Sequence, residues 1–125
     1  MAWKLDDTRP IYLQLVEQIE QAIMTGVYGP GDKLPSVRDF ALEASVNPNT
    51  MQKALTELEL SGLVYTKRTS GRFITEDKEL IAKMKTTIAC DKVNLFLKDM
   101  KALGFSKKEI LDLIDLKDKE EAKNE

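Results

Sequence analysis

Apolar residues recur at helical spacing in the first quarter of the chain. Ile11, Leu15, Ile19 and Ile23 form an i, i+4 stripe that Tyr12, Val16 and Ala22 widen. The spacing predicts a helix over 10–25, with Pro10 in its first position and Gly26 just past its end. Upstream, Trp3 and Leu5 read as an arm that packs on this helix. The segment 29–35, Gly-Pro-Gly-Asp-Lys-Leu-Pro, breaks the pattern and predicts a loop, with room for a short edge strand at Lys33-Leu34. Ser36 then caps a second helix, with Asp39 in a capping-box position. Val37, Phe40 and Ala41 give that helix an apolar face, and it ends near Ala44. After a short turn, Ser45-Val46, Asn47 caps a third helix that starts at Pro48 and runs to about Leu60. Met51, Leu55 and Leu58 face inward, and Ala54 permits close approach. Ser61-Gly62 ends it.

The period then changes from helical to alternating. Leu63 and Tyr65 point one way, Val64 and Thr66 the other; Arg72 and Ile74 alternate with Phe73 and Thr75. This predicts a hairpin with a four-residue tip, Arg68-Thr69-Ser70-Gly71, in which Gly71 supplies a positive φ or a close approach. A long helix follows over 78–103 and stops at Gly104. Ser106 and Glu109 form a capping box for a last helix, whose charged end from Lys117 onward is expected to fray. The fold class is mostly α (α+β): a helix-turn-helix with a hairpin wing over 1–77, then two helices over 78–125. Two amphipathic helices without a sheet cannot bury both faces alone. Ile81, Met84, Ile88, Phe96, Met100, Leu103, Ile110, Leu113 and Ile114 are therefore assigned to homodimerisation.

Composition narrows the chemistry. The chain has no histidine and one cysteine, Cys90, which excludes a histidine metal site, a Ser-His triad and an internal disulfide, and suits a reducing cytoplasm. No cofactor and no metal are expected. Nothing reads as a secretory leader or a bilayer-spanning run. The Gly-Pro-Gly loop lacks the Lys-Ser or Lys-Thr of a phosphate loop. An enzyme is not indicated.

Net charge is −2, which by itself argues mildly against nucleic acid. A DNA-binding face must then be local. The densest basic stretch is 67–72, with Lys67, Arg68 and Arg72 around Ser70 and Gly71 and no acid. Its small-residue tip suits phosphate or the minor groove. The outer face of the third helix carries Asn49, Thr50, Gln52, Lys53 and Thr56, amide and hydroxyl groups able to meet base edges. A solvated helix face would look similar in isolation. The order helix, tight turn, helix, basic hairpin favours the winged helix-turn-helix reading. The DNA-binding set is Ser36, Arg38, Asn47, Asn49, Thr50, Gln52, Lys53, Lys67, Arg68, Ser70, Gly71 and Arg72.

Residues 10–75 closely resemble the DNA-binding domain of the GntR family of bacterial transcription regulators. The likeness is carried by Pro10-Ile11-Tyr12 with Gln14, by Gly29 through Ser36, by Arg38, by Val46-Asn47-Pro48-Asn49-Thr50, by Leu58-Glu59 with Gly62-Leu63, and by Gly71 and Phe73. The Val-Asn-Pro-Asn-Thr string and the short tail resemble the YtrA-like branch. That resemblance implies a homodimeric repressor of double-stranded operator DNA, often acting on operons that hold its own gene and ABC-transporter genes. It further implies Arg38 on phosphate or base, Asn49, Thr50 and Gln52 in the major groove, and the wing in the minor groove. Other branches often carry arginine where Pro48 and Gln52 stand here, which implies a different operator. Two alternatives stay open: the same fold under control of a small-molecule effector, and a winged-helix adaptor for another protein.

Overall fold

The structure is a computed structural model that describes residues 1–124. Its elements are α1 (Ile11–Met24), α2 (Val37–Ala44), α3 (Pro48–Ser61), β1 (Val64–Lys67), β2 (Gly71–Ile74), α4 (Lys78–Ala102) and α5 (Lys107–Asn124). The chain divides into two compact units, Met1–Lys85 and Thr86 onward.

In the first unit the three stripes expected from sequence meet. Leu15, Ile19 and Ile23 of α1 pack with Phe40, Ala41 and Ala44 of α2 and with Met51, Ala54, Leu55 and Leu58 of α3. Leu34, Leu63, Val64 and Ile74 close the cluster from the hairpin side. Each fully buried Leu, Ile or Phe contributes roughly 1.5–3 kcal/mol, so α2, only eight residues long, is held by packing rather than by its own helix propensity. Both caps form as expected: Ser36 Oγ accepts from Asp39 N at 3.1 Å, and Asn47 Oδ1 accepts from Asn49 N at 2.7 Å. Between them Ser45 turns the chain in the left-handed region at φ 57°.

Pro10 lies one place earlier than expected. It is the extended residue before α1 (φ −51°, ψ 131°) and has no side chain with which to cap. Gln14 compensates. Nearly buried in the apolar stripe, its amide nitrogen donates to the carbonyls of Asp6 and Arg9, both at 2.8 Å, and its oxygen accepts from Asp6 N at 3.0 Å. This ties the N-terminal arm to α1 and sets Trp3 edge-on to Phe40, with ring centroids 5.3 Å apart.

The hairpin differs from expectation at its tip. Lys67 pairs with Gly71, so the tip is three residues, Arg68 to Ser70, not four. Ser70 N donates to Lys67 O, and Gly71 takes φ 105° to rejoin the ladder. Val64 and Ile74 are paired on the core side, and Tyr65 stacks on Phe73 on the other. The edge strand expected at Lys33-Leu34 is a single bridge to Phe73. Around it, Ile74 N donates to Asp32 O, Leu34 N to Arg72 O and Gly31 N to Ile74 O, so the loop before α2 covers the free edge of β2.

The first unit extends past the expected boundary at residue 77. Asp77 Oδ1 caps α4 by accepting from Leu80 N, and Ile81 and Met84 then pack half-buried against the first core. These two residues, assigned from sequence to dimerisation, are used within the protomer. In the second unit the Ser106–Glu109 capping box forms in both directions, at 3.0 and 3.2 Å. Among the described residues α5 continues past Lys117, where fraying is expected from sequence, to Asn124, with helix-forming Lys, Glu and Ala and a Lys117–Glu120 ion pair at 3.1 Å.

Candidate nucleic-acid interface

Three features of the first unit carry the polar groups that sequence singled out. The first is α2, whose N-terminal turn holds the capping Ser36 and an exposed Arg38 with no ion-pair partner among the described residues. The second is α3. Asn47, Asn49, Gln52 and Lys53 are exposed and Thr50 is half-buried. The Asn47 oxygen is already used as the cap, so it can offer DNA only its amide N–H groups. Gln52 rests its amide nitrogen on Thr56 Oγ1 at 3.3 Å, a weak contact that a base edge can replace. Lys53 lies over the Tyr12 ring, 3.7 Å from its centroid, so α1 holds this cation beside α3.

The third is the wing. Lys67, Arg68, Ser70 and Gly71 are exposed. Lys67 lies 4.7 Å from the centroid of Phe73, which leaves Arg68 the most outlying charge of the tip. Arg72 does not project outward with them. Its Nε donates to Glu59 Oε1 at 2.5 Å, and the Thr66 hydroxyl donates to the same oxygen at 2.7 Å. Glu59 sits on the last turn of α3, so one carboxylate holds both strands of the wing to that helix.

Partial burial alone would raise the Glu59 carboxyl, but the hydrogen bonds from Thr66 and Arg72 and the charge of Arg72 hold it below its ordinary value. A carboxyl lowered in the folded state stabilises above its unfolded pKa of about 4.3 and loses that contribution as pH falls through the lower folded value. Thermal stability should therefore lose this contribution only in acid, and Glu59→Gln should flatten that part of the acid slope while lowering stability at neutral pH. Melting curves of both proteins across pH 3–7 check this; parallel curves would remove Glu59 from the acid response.

Sequence reasoning missed Glu59 as a wing tie and Lys33 as a wing neighbour. Lys33 joins β2 by its bridge to Phe73, and a groove brings it together with Ser36, Ser70, Gly71 and Arg72. No group of His, Cys, Asp or Glu able to hold a metal occurs among the described residues, and no described helix is long and apolar enough to cross a membrane.

The family profile described as bacterial regulatory proteins, gntR family, matches residues 11–74, over half of the chain. The chain belongs to the GntR family. It is 40% identical over 109 residues to the uncharacterised HTH-type transcriptional regulator YhcF of Bacillus subtilis (strain 168), covering 87% of this chain and 90% of YhcF. It is 39% identical over 94 residues to the HTH-type transcriptional repressor YtrA of the same bacterium, covering 75% of this chain and 68% of YtrA. A solved GntR family transcriptional regulator from Listeria monocytogenes is similar with a TM-score of 0.86 and 41% identity, over 89% of this chain and 97% of that one. This GntR protein is thus a DNA-binding transcription regulator of the YtrA-like type, not an enzyme. Within it, the matched segment contains α1, α2, α3 and the wing, and with the caps Ser36 and Asn47 it includes every DNA-binding residue expected from sequence.

Proposed function

We propose that this regulator is a cytoplasmic homodimeric repressor of a pseudo-palindromic operator, acting on an operon that includes its own gene and ABC-transporter genes. The observation that carries the reading is the exposed face of α3, where Asn49 and Gln52 stand clear of the core, as do Arg38 of α2 and Lys67 and Arg68 of the wing. In the reading, Asn49, Thr50 and Gln52 meet base edges in the major groove. Arg38, Lys53, Lys67 and Arg68 meet phosphates, and Ser70 and Gly71 approach the minor groove. Two copies address half-sites about one helical turn apart. The second unit supplies a face for the pairing: Phe96, Met100, Leu113 and Ile114 line one groove, with Leu103 72% exposed nearby in sequence. Ile88 is half-buried and Ile110 is buried. The repressor and operon assignments draw on the YtrA relative and its branch.

The test is fluorescence anisotropy with duplex DNA from just upstream of the gene and a scrambled control. Arg38→Ala should weaken both duplexes alike and reduce the salt slope by about 0.9. Gln52→Ala should cost about 1–3 kcal/mol on the operator and little on scrambled DNA. Equal losses on both duplexes for Gln52→Ala would remove it from base reading. Absence of selectivity in the wild type, even at low salt, would remove that DNA as the operator.

A further inference from the structure

The wing has a different set of working cations from the one its sequence suggests. Arg72 lies in the basic run, yet its guanidinium is committed to Glu59, with the two side chains only 19% and 30% exposed. A phosphate would have to compete with a carboxylate already in place and already accepting from Thr66. The pair is close to electrically neutral and spans β1, β2 and α3.

Lys33 stands on the opposite edge of β2, in a loop 34 residues before Lys67, the last residue of β1 ahead of the wing tip. Its backbone is fixed by the bridge to Phe73 and by the bonds of Asp32 and Leu34 to β2. Its stem crosses Gly71: a Cβ built on that glycine would lie 3.3 Å from Lys33 Cε and 4.0 Å from Nζ. The ammonium is thereby delivered to the base of the wing tip, in the groove shared with Ser70 and the α2 cap Ser36. Lys33 is exposed and has no ion-pair partner among the described residues. A side chain at position 71 would displace this lysine as well as strain the backbone, which is at φ 105°.

We propose that Lys33, contributed by the loop before α2, is a backbone-phosphate contact of the DNA interface, and that Arg72 is a positioning residue that locks the wing to α3 through Glu59. The proposal rests on the reading that the wing meets DNA, and the experiment separates the two.

Salt titrations of binding to a random-sequence duplex need no knowledge of the operator. The log–log slope falls by about 0.9 for each phosphate contact removed. Lys33→Gln should reduce the slope by that amount and leave thermal stability unchanged. Arg72→Gln should weaken binding and stability with the slope unchanged. Glu59→Gln should release Arg72 and steepen the slope, a result that a purely structural tie would not produce. Arg68→Gln is the control for the wing itself. A normal slope for Lys33→Gln beside a reduced one for Arg68→Gln would overturn the Lys33 assignment and leave the wing reading intact. A reduced slope for Arg72→Gln would overturn the positioning role; should that variant unfold, a Glu59→Gln variant with full wild-type stability would overturn it instead, because the tie would then hold nothing in place. Unchanged slopes for both Arg68→Gln and Lys33→Gln would mean that the wing does not touch DNA, and both readings would fall.

Discussion

Phe40→Ala should destabilise the first unit by about 3–5 kcal/mol, a large share of the roughly 5–15 kcal/mol that holds an ordinary domain together. Phe40 is fully buried, and its ring meets Trp3 and Tyr28 edge-on at 5.3 and 6.2 Å. It is thus the side chain through which α2, the N-terminal arm and the loop after α1 share one site. Truncation leaves a cavity under a helix too short to stand alone. Urea denaturation of the variant beside Leu42→Ala makes the comparison internal. Leu42 is on the same helix and 73% exposed, so its loss should stay within about 0.5 kcal/mol. Similar costs for the two variants would mean that α2 is not held by this packing.

Converting Met100 and Ile114 together to aspartate should give a monomer whose operator affinity is lower by about 100-fold or more. The expectation follows from charge. The protein is net −2, and Glu59 occupies one of the wing cations, so each copy offers DNA few contacts. Joining two copies makes the second engagement intramolecular, which multiplies affinity without adding any new contact. Placing two carboxylates in the groove that Met100 and Ile114 line should oppose pairing without touching the first core. Sedimentation equilibrium reports the assembly state, and anisotropy reports DNA binding. A monomer that binds as tightly as wild type would sink the avidity argument; a persistent dimer would place the interface elsewhere.

The helices were legible because their signals are local. Stripes at i, i+4, caps at Ser36, Asn47 and Ser106, and glycines at 26, 62 and 104 all act within a few residues. The hairpin was legible for the same reason, down to an error of one residue at the tip that the Lys67–Gly71 pairing decides. What stayed hidden depends on pairs distant in sequence. Glu59 and Arg72 are 13 residues apart on different elements, and nothing in either neighbourhood announces the other. Lys33 reads as a loop lysine until the bridge to Phe73 places it over Gly71. Gln14 is a polar residue that looks like surface, yet it is buried because the arm supplies carbonyls for it. Ile81 and Met84 carry the same apolar signal as the residues beyond them. Periodicity says that a face is buried but not which neighbour buries it.

The three-residue wing tip also has a practical side. Arg68, Thr69 and Ser70 lie outside the strands, and the peptide bonds after Lys67 and Arg68 are exposed in a turn. Trypsin needs a basic residue in a segment that can open into an extended strand, so cutting here requires the tip to loosen from the Lys67–Gly71 pairing. In the proposed reading the tip faces the nucleic acid, so bound DNA should shield it from cutting. A brief digestion becomes a footprint from the protein side, recording which copies were covered by DNA when the protease arrived and requiring no label on either partner.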